Sequence, residues 1–178
     1  MDYYKLKICG LERDLPIIKI SDDLKIASFV LLGDAELAAK AGYELSKKVD
    51  CDIILTAEAK GIELAHEIAK SKGEKSFIVA RKSVKAYMDK PVSVEVNSIT
   101  TTNTQKLYLD LKDAEKIKGK RVALVDDVIS TGQSIAALEA LVEKAGGKVV
   151  QKLAILAEGD AADREDIIYL EKLPLFEV

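Results

Sequence analysis

The sequence predicts an α/β fold, a mainly parallel, doubly wound sheet with an antiparallel hairpin at its N-terminal side, and three observations carry that expectation. CDIILTA, SFIVA and RVALV are short, almost wholly apolar runs, the composition of strands buried on both faces. Between such runs lie segments whose apolar and alanine positions recur at helical spacing. Alternation of apolar and polar residues, the mark of half-buried strands, is confined to the N-terminal stretch and to residues 91–111.

Taken in order, YKLKI and LPIIKI alternate on either side of CGLERD and read as a two-stranded hairpin. Asp34 is placed to cap a helix whose Leu37, Ala38, Ala41 and Leu45 share one face. CDIILTA follows as a buried strand, GIELAHEIAKSKG as a helix closing on Gly73, and SFIVA as another buried strand. PVSVEVNS and QKLYLDL alternate, RVALV is buried, and SIAALEALVEKAGG is a helix stopped by its glycines. KVVQKLAILA is one more strand, and after Asp163 a short helix or turn leads to a last edge strand near residues 175–178. With no repeat, low-complexity tract or linker, residues 1–178 read as one domain. Residues 1–32 form a hood and residues 33–178 the core. Strands alternating with helices place any ligand beyond the carboxyl ends of the strands.

Composition narrows the function. Lys plus Arg is 27 and Asp plus Glu is 30, so a net charge of −3 offers no general attraction for nucleic acid or an anionic membrane. Any anion site must be a local cluster. No apolar run approaches the ~18 residues of a membrane span, and MDYYKLKICG lacks a signal-peptide core. A cytoplasmic protein is expected. Cys9 and Cys51 have no metal-ligand spacing and read as buried, reduced thiols. His66, the single histidine, falls on a helix, where a surface position is expected, so Ser-His-Asp and Cys-His mechanisms are set aside.

Three strand ends carry chemistry. VALVDDVISTGQS places Asp126 and Asp127 after four apolar residues, then feeds a helix through Ser130, Thr131, Gly132, Gln133 and Ser134. Free backbone N–H groups at a helix start, beside three hydroxyls, make a cradle for an anion such as phosphate. Two acids have the wrong charge for phosphate but suit a sugar diol or a Mg²⁺ ion held beside it. Together they suggest a ribose phosphate that carries a metal. Neither G-x-x-x-x-G-K-[ST] nor G-x-G-x-x-G occurs. TAEAKGIELA, with Gly61 near a helix start, and the basic VARKSVKAYM are the other two ends.

VALVDDVISTGQS resembles the phosphoribosyl pyrophosphate (PRPP) motif of the type I phosphoribosyltransferases. By that resemblance Asp126 and Asp127 act in catalysis, bind the ribose hydroxyls and hold Mg²⁺. Val128, Ser130, Thr131, Gly132, Gln133 and Ser134 complete the PRPP site, the loop from Ser130 holding the 5′-phosphate. Ala57, Glu58, Ala59 and Lys60 resemble the family's pyrophosphate loop, with Lys60 where adenine-type members usually have Arg. Arg81, Lys82 and Lys85 resemble the mobile loop that closes over pyrophosphate, with Lys85 a further catalytic residue. The resemblance spans most of residues 17–158 and is nearest the adenine and xanthine branches. It implies transfer of phosphoribosyl from PRPP to a purine base, release of pyrophosphate, and a homodimer. Two acids of relatives are missing, since Ser130 and Thr101 stand where a general base is found. Glu158 and Asp160, at the end of ILAEGD, suit the amino group of adenine better than a carbonyl, so Glu158 is a base-binding candidate. A xanthine or other 6-oxopurine enzyme, and a non-catalytic PRPP sensor of the same fold, stay open as alternatives.

Overall fold

The structure, a computed structural model, describes residues 2–97 and 104–178. The chain opens with β1 (Tyr3–Ile8) and β2 (Leu11–Lys19), an antiparallel hairpin. Its connection is shorter than the expected CGLERD. Only Cys9 and Gly10 form the turn, both with positive φ (50° and 72°), the geometry of a two-residue type I′ turn. Glu12 and Asp14 instead face Lys7 and Lys5 across the ladder, with ion pairs of 3.3 Å each. Arg13, expected in the connection, lies instead on the inner side of β2. It is satisfied there by Asp34, Nε to Oδ2 at 2.7 Å, and by Glu36 at 2.9 Å. Asp34 also accepts from the Leu37 N–H and so caps the helix expected there, α1 (Ala35–Ser46). The Arg13 guanidinium keeps the Asp34 carboxyl below its ordinary value.

A short β3 (Leu24–Ala27), not read from the sequence, pairs antiparallel with β2. Then come β4 (Ile53–Ala57), α2 (Ile62–Lys72), β5 (Ile78–Ala80), β6 (Val92–Asn97) and β7 (Thr104–Leu109). Helix α3 (Leu111–Ile117) lies where strand was expected to run on through Leu111. β8 (Arg121–Ile129), α4 (Gln133–Lys144) and β9 (Lys148–Glu158) follow, and a 3₁₀ turn occupies Gly159–Asp163. After Asp163 the expected turn is present at residues 165–166, but a strand not read from the sequence, β10 (Ile168–Leu173), follows it before the last strand, β11 (Leu175–Glu177).

Five of these strands make a sheet in the order β10-β9-β8-β4-β5, every neighbouring pair parallel. Helices cover both faces. Ala123 and Val125 of β8 pack toward α1 and α2, while Val122 and Leu124 pack toward α3 and α4. Each large aliphatic side chain buried there contributes on the order of 1.5–3 kcal/mol. From β4 the chain crosses one way to β5, and from β8 the other way to β9. The carboxyl ends of β4 and β8 therefore flank the switch point where ligands bind in such sheets. Over that end sits a second sheet, β1-β2-β3-β11, in which the last strand of the chain pairs with the N-terminal hairpin's neighbour.

Candidate active site

β8 does not stop before its acids. It runs to Ile129, so Asp126 and Asp127 belong to the strand's last turn of pleat, with Asp126 opposite Ala154 of β9. Asp127 is only 4% exposed, and its Oδ2 is buried with no hydrogen-bond partner among the described residues. Asp126 Oδ1 accepts from the Asp127 N–H at 2.9 Å. Enclosure by protein, and next the charge of Asp127, push the Asp126 carboxyl up to about 7, with Lys60 opposing the shift. A half-buried acid beside a buried one whose Oδ2 has no partner among the described residues is a pair that a ligand's hydroxyls or a cation would satisfy.

Past Ile129 the chain turns through Ser130, Thr131 and Gly132 into α4. Gly132 has φ 80° and supplies no side-chain cap, so the helix start keeps its N–H groups free. A hollow of about 100 Å³ lies there, lined by residues 128–135 with Asp126. At ~30 Å³ per water, it holds about three waters' volume.

The loop after β4 faces this strand end. Thr56, fully buried, donates its hydroxyl to the Val125 carbonyl at 2.7 Å. Gly61, at the start of α2, approaches so closely that a Cβ there would meet the Thr56 hydroxyl and come 3.2 Å from the Val125 carbonyl. That contact seats Lys60 beside Asp126. Glu58 turns the other way. Its carboxylate accepts from the Lys82 backbone N–H at 2.6 Å and from Arg81 Nε at 2.9 Å. The Lys82 bond, then Arg81, hold its carboxyl below the ordinary value against the effect of burial. Arg81 also donates to the Tyr87 hydroxyl at 2.6 Å, and Lys85 Nζ donates to Ser83 Oγ at 2.7 Å.

These elements enclose a cleft of about 510 Å³. Asp126, Asp127, Val128, Ser130 and Ser134 open onto it from one side, and Ala57, Glu58, Ala59, Lys60 and Lys82 from another. Glu158 lines it too. Thr131, Gly132 and Gln133 line the adjoining hollow. Arg81 and Lys85, expected over pyrophosphate, do not line the cleft. The Glu58 side chain, expected at pyrophosphate, is engaged in holding the basic loop. Asp160 is exposed on the 3₁₀ turn outside the cleft, and Thr101 lies outside the described residues. His66 is exposed on α2, as expected, whereas Cys9 and Cys51 are half-buried rather than buried, and both are free. The sequence reading missed the cleft's apolar wall, Ile18, Ile26 and Phe29 from the N-terminal segment and Leu173 from β10. The alternation that marked the hairpin was the available signal for Ile18 alone.

No group of three or more metal-ligating side chains occurs among the described residues. Mg²⁺ commonly takes one or two carboxylates and completes its shell with water and ligand phosphates. Asp126 and the Asp127 oxygen without a partner fit that demand; no metal cage made of protein alone occurs among the described residues. No helix is long and apolar enough to cross a membrane among the described residues.

Comparison with known proteins agrees with this geometry. Residues 32–173 match the phosphoribosyl transferase domain. The hypoxanthine/guanine phosphoribosyltransferase of Methanococcus voltae is 33% identical over 141 residues, 78% of this chain and 71% of that protein. The adenine phosphoribosyltransferase of Chlorobium phaeovibrioides is 35% identical over 124 residues, 70% of this chain and 67% of that one. Among solved structures, the adenine phosphoribosyltransferase of Thermoanaerobacter pseudethanolicus superposes with a TM-score of 0.72 at 26% identity, covering 89% of this chain and 95% of its own. With its paired acids, its anion cradle and a family match over most of its length, the chain belongs to the phosphoribosyltransferase family, in the type I purine branch.

Proposed function

We propose that this enzyme transfers phosphoribosyl from PRPP to adenine, releasing pyrophosphate, in purine salvage. One observation carries the reading: the two carboxylates, the helix-start hollow, and Lys60 with Lys82 all open onto a single cleft. In the transfer a ring nitrogen bonds to the ribose C1 as the bond from C1 to the pyrophosphate oxygen breaks. That oxygen leaves with the electron pair, and the proton displaced from the ring nitrogen passes to water or to the departing pyrophosphate. Asp126 and Asp127 hold the ribose hydroxyls, and the loop from Ser130 to Ser134 fixes the 5′-phosphate, so the sugar is held in place for attack. Lys60 and Lys82 face the leaving group, where negative charge accumulates. Asp126 and Asp127 would hold Mg²⁺ together with the ligand's oxygens, and the ion would supply charge neutralisation to the pyrophosphate. Lys85 and Arg81 stay outside their own cleft, which supports a homodimer in which one protomer's basic loop serves its partner's site. The activity belongs in the cytoplasm, with neither nucleic acid nor membrane as a partner.

Adenine is favoured because Glu158 meets the cleft at the strand end and accepts from an exocyclic amino group. A 6-oxopurine is the second reading, supported by the Methanococcus voltae relative. Each purine and pyrimidine base is to be incubated with PRPP and Mg²⁺ and the nucleotide scored. Adenosine monophosphate is the expected product. Because no carboxylate stands at Ser130 or Thr101, turnover should fall short by a general base's worth, about 10²–10⁴-fold. Inosine or xanthosine monophosphate would install the second reading. No nucleotide from any base, with PRPP still bound, would make the protein a sensor. Asp126→Asn combined with Asp127→Asn should abolish the heat of PRPP binding in calorimetric titration, and unchanged affinity would remove the assignment of the site.

A further inference from the structure

The loop that cradles the phosphate contains no basic side chain, yet a guanidinium lies against it. Arg164, just past the 3₁₀ turn, grips Asp166 with two donors, Nε at 2.8 Å and Nη2 at 2.7 Å. Its third nitrogen, Nη1, makes no hydrogen bond among the described residues and rests on Gly132, where an added Cβ would come within 2.5 Å of it. The fork is itself braced. Asp166 lies 3.3 Å from Lys152 Nζ, and Lys152 pairs with Glu139 of α4 at 2.8 Å. Lys152 is mostly buried, its side chain 15% exposed. The chain of charges thus runs from α4 through β9 to the segment before β10 and ends on the loop at the mouth of α4. Arg164 holds the Asp166 carboxyl far below its ordinary value, so the fork is charged at neutral pH.

We propose that Arg164 is a positioning residue for the 5′-phosphate of PRPP. It stiffens the loop by packing on Gly132 and adds the positive charge that the cradle's own residues lack. Backbone N–H groups and a helix start bind anions weakly by field alone, and a dianionic phosphate gains from a fixed cation next to them. The cluster's balance matters as well. Glu139 and Asp166 offset Lys152 and Arg164, so removing Arg164 leaves a net negative charge beside the phosphate. The inference rests on the proposed placing of the 5′-phosphate at Ser130–Ser134.

Two probes separate the ends of the site, ribose 5-phosphate for this loop and inorganic pyrophosphate for Lys60 and Lys82, each titrated by calorimetry. Arg164→Gln should weaken ribose 5-phosphate about tenfold or more, the scale of one charge-assisted contact. It should leave pyrophosphate affinity within about twofold, and Arg164→Lys should fall between. In turnover the PRPP KM should rise with kcat little changed. Equal losses for both probes would reduce Arg164 to a general structural part, and no loss for either would dismiss it; both results overturn the proposal. If Arg164→Gln does not fold, Arg164→Lys carries the test: a smaller loss of ribose 5-phosphate affinity with pyrophosphate spared supports the proposal, and unchanged affinity for both overturns it. Wild-type protein that binds pyrophosphate but not ribose 5-phosphate would overturn the phosphate placing itself, and this inference with it.

Discussion

Burial and the charge of Asp127 push the Asp126 carboxyl up, to about 7, from the ~3.9 of an unfolded chain, so it holds its proton more tightly when folded. For Asp126 the resulting stability is fully present below the unfolded value and is lost as pH rises through about 7. Asp126→Asn keeps the acceptor for the Asp127 N–H but removes the titration. Melting of the ligand-free variant should match wild type near pH 4 and exceed it by several °C at pH 8, the scale of a few kcal/mol in a chain of this size. A difference that stays flat with pH would mean that Asp126 is not strained by its setting. The acids themselves were legible in DDVISTGQS, because two like charges after an apolar run are unusual. Their place inside β8 was not, since the strand was expected to end at Val125. Arg164 was not legible at all. Nothing in its own neighbours in sequence points to Gly132, and only the docking of the segment before β10 brings them together.

At the scale of elements, the site depends on how closely the start of α2 approaches β8. Gly61→Ala drives a methyl into the Thr56 hydroxyl and toward Asp126 Cα at 3.4 Å, so either the helix backs away or the Thr56–Val125 bond is lost. Overpacking of this kind costs typically 1–3 kcal/mol. Urea unfolding should show that loss, and the PRPP KM should rise because Lys60 moves from Asp126. A variant with wild-type stability and KM would show the contact to be slack. The helices with clear caps or glycine stops, α1, α2 and α4, were legible from the sequence, as were the buried strands around them. α3 has seven residues and β3 has four, too few to build a periodic signal. β10 went unread because IYLEKL sits at a sheet edge, where exposed Glu171 and Lys172 interrupt the apolar run that marks the inner strands.

Across the whole molecule, the cleft has one wall from the parallel sheet and one from the four-stranded sheet above it. β11 holds that second wall together, pairing with β3 through Leu175–Ile26, while Phe176 meets Tyr4 edge-on at 5.9 Å. Deleting Leu175–Val178 should leave the five-stranded sheet folded and PRPP binding nearly intact, while the apparent affinity for the purine base falls at least tenfold. Equal loss of both ligands would show that the two sheets fold as one cooperative unit. The sequence led us to expect the N-terminal hairpin and a final edge strand as separate features. Their joining depends on a match between distant segments, which no local pattern encodes.

That joining also orders events in time. The β3–β11 contact closes a loop of about 150 residues, an entropic cost met only after the intervening sheet exists. The four-stranded wall of the cleft should therefore be the last part to form and the first to let go. Amides of β1 to β3 and β11 should exchange with solvent through a partial opening, while those of β8 and β9 wait for global unfolding. A purine bound against that wall should slow exchange in the first group far more than in the second, and would then act as a clasp on the two chain ends.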